Sequence, residues 1–77
     1  MLWKPLCDTV PGETVRIREL CSKSGIRRRL LDMGLTEGSF AVCLYRSPAG
    51  DPTAYSVRGA VIALRREDAA TIMVSAK

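Results

Sequence analysis

The sequence predicts a mainly β fold: a small five-stranded barrel with one short α-helix inserted after the first strand and a helical turn before the last strand. Three observations lead there. Short runs that alternate apolar and polar residues recur at close spacing. Glycine- and proline-bearing turns separate them. A single stretch, from Ser24 to Gly34, changes to the helical period. At 77 residues the chain makes one domain, residues 1–77, with no room for a second core. Closing a sheet on itself suits so short a chain because it leaves few unpaired strand edges.

The elements follow in order. PGE is a turn signal, and VRIRE (Val15 to Glu19) then alternates β-branched and charged residues as a half-buried strand does. Leu20 breaks that alternation, so the strand is expected to bulge or end there. Ser24 as N-cap and Gly34 just past the end bracket a helix. Measured from Arg27 at about 100° per residue, Met33, Ile26 and Leu30 fall near 240°, 260° and 300° and form an apolar stripe. Arg28, Asp32 and Arg29 take the other side, so the three adjacent arginines are dispersed around the axis, with Arg28 four residues before Asp32. Leu31 lies beside Arg27, where it either widens the buried stripe or stands exposed as part of a contact surface.

SFAVCLYR (Ser39 to Arg46) alternates again, with Phe40, Val42 and Leu44 on one face and Ala41, Cys43 and Tyr45 on the other. Neither face is strongly polar, which predicts a strand covered on both sides or one that exposes an apolar strip. SPAGDP is a loop, and TAYSVRG and AVIALR are two further strands joined by a tight turn at Arg58-Gly59. REDAATI reads as a helical turn with Glu67 and Asp68 where the helix dipole favours negative charge, and Ile72 to Val74 returns as a last strand.

Composition limits the chemistry. There are twelve basic and eight acidic residues, a net charge of +4, and no histidine. The three cysteines, Cys7, Cys21 and Cys43, form no CxxC pair, so they read as small buried hydrophobes in a reducing compartment rather than as a disulfide or zinc framework. No P-loop, no GxSxG and no clustered carboxylate pair is present, which argues against an enzyme. The N-terminal stretch lacks a signal-peptide core and AVIAL is too short to span a bilayer, so the expectation is a soluble cytoplasmic protein.

The order of these motifs resembles the FeoA family. RRRLLDMGLTEG, the SPAGDP loop and RGAVIALRREDAATIMV follow one another as in FeoA-like domains, behind a glycine (Gly12) that precedes a strand. The likeness runs from about Leu6 to Val74. It implies an SH3-like barrel with a helical insertion, related to the C-terminal domain of DtxR-type iron-dependent repressors. It further implies an accessory or regulatory role in ferrous-iron uptake, at the cytoplasmic GTP-binding region of the membrane transporter FeoB, and no enzymatic activity or cofactor. Ala49 departs from the family, whose members often carry a bulky aliphatic residue between the loop proline and glycine.

The leading functional reading is therefore a protein-interaction module docking on FeoB, peripheral to the membrane through its partner, with self-association open. Arg27, Leu31, Met33, Tyr45 and Tyr55 are the candidate contacts, because they combine arginine, aromatic and pliable side chains that anchor interfaces. A second reading is a basic barrel that binds nucleic acid or acts in iron-dependent transcriptional regulation. It requires Arg16, Arg18, Arg28, Arg46 and Arg58 to converge on one surface. A third is binding of a transition metal such as ferrous iron, weakened by the lack of histidine and of grouped thiols.

Overall fold

Alternation places one side of each strand in a shared core, and the computed structural model, which describes residues 2–77, shows which side. Among the described residues six strands make one antiparallel sheet: β1 (Lys4–Pro5), β2 (Thr14–Leu20), β3 (Phe40–Arg46), β4 (Thr53–Val57), β5 (Ala60–Leu64) and β6 (Ile72–Ala76). Their order in the sheet is β1-β6-β2-β3-β4-β5. Helix α1 (Ser24–Asp32) joins β2 to β3, the four-residue α2 (Arg66–Ala69) joins β5 to β6, and a 3-10 turn (Leu6–Asp8) follows β1.

Two corrections to the expected barrel follow. A sixth strand is present, because Lys4 and Pro5 pair with Val74 and Met73. Two residues carry no alternation to read, so only tertiary pairing reveals them. Among the described residues the sheet also does not close by hydrogen bonds, for β1 and β5 are its two unjoined edges. Pro5 has no N–H to give and the 3-10 turn bends the chain away after it, so β1 cannot extend the ladder.

The fully buried residues Val15, Ile17, Leu30, Leu35, Val57, Ile72 and Val74 form the centre of the core. The register of β2 against β6 shifts between Ile17 and Glu19, a bulge two residues before Leu20, where the strand ends as expected. Leu20 itself is buried against Ile72 as its partner. Val57 and Ala60 close the β4–β5 hairpin, with Arg58 at φ 52° and Gly59 at φ 84°. Positive φ at both central residues is the type I′ geometry that matches strand twist.

The expected serine cap on α1 is not formed. Lys23 occupies the N-cap position without a side-chain hydrogen bond, and its carbonyl accepts from the Arg27 N–H at 2.7 Å. The Ser24 hydroxyl lies one residue too far into the helix to serve. The other end does the holding: Gly34, at φ 99°, donates to the Leu31 carbonyl at 3.0 Å, and Leu35 donates to Leu30 at 3.1 Å. These are the two bonds of a Schellman motif, and its apolar pair, Leu30 and Leu35, is fully buried.

Near the N-terminus, Val10-Pro11-Gly12-Glu13 closes a turn by a Glu13 N–H to Val10 carbonyl bond at 3.0 Å. The Glu13 carboxylate accepts from Lys4 Nζ at 2.7 Å and from the Val10 N–H at 3.1 Å. The Lys4 bond, aided by the Val10 amide, holds the Glu13 carboxyl below its usual range. A carboxylate whose folded pKa is depressed stabilises the fold above its unfolded pKa, and that contribution is lost as pH falls through the folded value. Urea midpoints are therefore expected to decline as pH drops below the ordinary glutamate value, about 4.3. Glu13→Gln is expected to lower the neutral-pH midpoint and flatten that decline. An unchanged acid slope in the variant would remove Glu13 from this role.

Candidate functional site

The candidate contacts divide by position. Arg27 is exposed on α1, and Leu31 and Met33 are half-buried, packed against the core from the same helix and its C-cap. Leu31 thus widens the buried stripe, while Ile26 in the first turn stands 38% exposed. Tyr45 is 60% exposed on β3. Tyr55 is a correction: only 2% exposed, it lies inside the core and offers nothing to a partner. It is aromatic like Tyr45, yet β4 is flanked by β3 and β5 and turns its ring into the core cluster. Burial raises the Tyr55 phenol pKa, with Cys43 adding to the effect.

Tyr45 reaches the surface by a route that alternation alone does not show. Ala41 and Cys43 oppose Val57 and Tyr55 on the core face, and then the β3–β4 register shifts between Cys43 and Tyr45. Beyond that bulge Tyr45 opposes Ala54, which in turn opposes Ala63. One extra residue has moved Tyr45 to the outer face, the side of Val42, Ser56 and Val61. The two sets do not form one patch: α1 ends beside the Val57–Arg58 end of the β3–β4 ladder, and Tyr45 sits at the other end. A Cβ placed on Gly34 would lie 3.3 Å from Arg58 Cδ, which shows how closely the helix end approaches that turn.

The outer face also carries apolar residues that were not among the candidates. Phe40 is 44% and Val61 64% exposed, with half-buried Val42 two residues from Phe40 along β3 and in the same cross-strand row as Val61. Of the two expectations for this strand, the exposed apolar strip is the one realised. The signal was present in SFAVCLYR, whose larger apolar side chains alternate with alanine and cysteine: the small residues face inward and the large ones outward. Arg16 lies 4.7 Å over the Phe40 ring, a cation–π contact that covers one side of it. Phe40 and Arg58 line an open groove with Thr36, Glu37, Gly38 and Ser39.

Four of the five arginines required by the nucleic-acid reading are individually engaged. Arg18 donates to Ser75 Oγ at 2.6 Å, Arg28 sits 3.5 Å from Asp32, and Arg46 donates to the Thr9 carbonyl at 2.7 Å. Arg16 stacks on Phe40, which leaves Arg58 on its hairpin turn. Only Arg28 of the five is paired with a carboxylate, but Arg46 and Arg58 stand at opposite ends of the β3–β4 ladder, so the five do not gather in register as phosphate binding requires. Several carboxylates are likewise engaged: Asp68 pairs with Arg29 at 3.3 Å, Asp8 with Arg66 at 3.8 Å, and Asp51 Oδ1 accepts the Arg66 N–H at 2.9 Å. Among the described residues no three His, Cys, Asp or Glu side chains are grouped to hold a metal ion. Nor is any helix among them long and apolar enough to cross a membrane.

Known structures share this arrangement. The chain superposes on a solution structure of a FeoA-like protein from Clostridium acetobutylicum with TM-score 0.90, 28% identity, and coverage of 99% of this chain and 88% of that one. A crystal structure of an iron uptake regulatory protein, FeoA, matches at TM-score 0.82 and 30% identity, covering 96% of each chain. The zinc complex of Stenotrophomonas maltophilia FeoA, described as a prokaryotic SH3 domain protein, matches at TM-score 0.81 and 21% identity over 92% of this chain and 88% of that one. That likeness supports an SH3-like fold. No curated protein sequence matches the chain. The FeoA domain model matches residues 4–76, every element from β1 to β6, and the chain belongs to the FeoA domain family.

Proposed function

We propose that the chain is an accessory protein of ferrous-iron transport that acts on the cytoplasmic side, by binding the GTP-binding region of an FeoB-type membrane transporter. The observation that carries this reading is family membership across the whole sheet. The side-chain chemistry supports it: the paired carboxylates serve loops, caps and helix contacts, which leaves surface contact rather than bond-making as the mode of action. Ferrous iron is then the transporter's cargo, not a ligand that this chain must hold. Arg27 with the half-buried Leu31 and Met33 forms the primary contact, and Tyr45 a second one on the outer face.

Calorimetric titration of the purified chain with the FeoB cytoplasmic domain is expected to show saturable binding. Arg27→Ala is expected to weaken it about tenfold, the order of effect for an interface anchor, with the fold unchanged. Absence of binding both with and without guanine nucleotide would overturn the proposal.

A further inference from the structure

The two edges of the sheet are unlike. β1 is blunted in the usual ways: two residues long, it carries Lys4 and ends in Pro5. β5 has none of these guards. Ala60–Leu64 reads AVIAL, five residues without charge, proline or glycine, paired on one side only, with β4. The bond pattern along it follows from the hairpin. The two-residue turn makes Val57–Ala60 a hydrogen-bonded pair, and alternation then assigns bonds to Tyr55–Ile62 and Thr53–Leu64. The N–H and C=O groups of Val61 and Ala63 therefore point away from the sheet, and both residues are exposed. That is a row of backbone donors and acceptors ready for another strand.

Charge decides what kind of strand. Arg58 stands in the turn just before β5 and Arg65 just after it, both exposed and neither in an ion pair among the described residues. A second copy of β5, paired antiparallel about Ile62, would set Gly59 opposite Arg65 and Arg58 opposite Arg66. Arginines would then crowd both ends of the joint. An acidic segment meets the opposite situation. Glu67 and Glu37 lie near these ends, but neither neutralises Arg65 or Arg58 by a direct contact.

We propose that the free edge of β5 binds an extended peptide segment of a partner protein, apolar at alternate positions and acidic at its ends, as an added antiparallel strand. The backbone groups of Val61 and Ala63 supply the ladder, Val61 packs against an apolar side chain on the outer face, and Arg58 and Arg65 take the acidic ends. The inference does not depend on the transporter being that partner.

The test uses the full chain, isotope-labelled, and a short synthetic peptide of alternating valine and threonine with paired glutamates at each end. A counterpart carries lysines in their place. The glutamate peptide is expected to bind saturably, to shift the Val61 and Ala63 amides, and to slow their hydrogen exchange. The lysine peptide is expected to bind at least about tenfold more weakly, as like charge opposes docking. Val61→Pro removes an outward N–H that β4 does not use, so binding is expected to vanish while the Ile17 and Val74 amides, on strands away from β5, keep their positions. Arg65→Glu is expected to narrow the gap between the two peptides. No saturable binding at millimolar peptide, equal affinity for both peptides, shifts confined to α1, or self-association through β5 without peptide binding would each overturn the proposal.

Discussion

Replacing Tyr55 with alanine is expected to remove a large share of the fold's stability. The ring is 2% exposed and lies in the core cluster, on a strand flanked by β3 and β5, opposite Cys43 on one side and Ile62 on the other. Truncating a buried aromatic costs about 3–5 kcal/mol, because transfer energy is lost and the cavity collapses only in part. A domain of this length holds a total of about 4–12 kcal/mol. The variant therefore loses a large share of its stability. Tyr55→Phe isolates the ring from its hydroxyl. The hydroxyl oxygen is 3.5 Å from the Leu6 carbonyl, too long for a strong bond, so its loss should cost no more than about 1 kcal/mol. Denaturant titrations followed by circular dichroism check both. A Tyr55→Ala midpoint close to the parent's would mean that the ring is not the core member described here.

Tyr55 also shows where sequence and structure part. The β class, the helix after VRIRE, the Arg58-Gly59 hairpin and the Gly34 stop were readable because each rests on a local signal: alternation, helical period, or a residue that tolerates positive φ. What was not readable depends on position in the sheet. TAYSV looks like any alternating strand, and only the strand order makes it interior and its tyrosine unavailable. The bulge before Tyr45 is equally silent, since the single extra residue follows from the register against β4 and not from a glycine. β1 is too short to carry a period. The cap at Ser24 failed for a related reason, since a one-residue shift in where the helix begins separates a capping hydroxyl from an idle one. As for the candidate surface, Arg27 and Tyr45 are exposed, as a contact role requires, whereas the free β5 edge required knowing which strand comes last in the sheet.

A second large effect separates folding from contact on one helix. Leu30 is fully buried, and its carbonyl receives N–H groups from both Met33, at 3.2 Å, and Leu35, at 3.1 Å. Its side chain is the point at which α1 is fastened to the core, with Leu35 beside it in the same cluster. Leu30→Ala is expected to cost about 2–5 kcal/mol. Leu31 is its neighbour but only half-buried, at the edge of the cluster, and Leu31→Ala should cost about 1 kcal/mol. If α1 presents the binding surface, the order reverses in a titration against the FeoB cytoplasmic domain. Under conditions where both variants remain folded, Leu31→Ala weakens binding more than Leu30→Ala does. The helix has no side-chain cap at its start and has a Schellman motif at its end, so its last turn, where both leucines lie, is the ordered half. Equal binding losses for the two variants would show that α1 matters to the partner only through the stability of the fold. A loss confined to Leu31→Ala would place the partner on the helix itself.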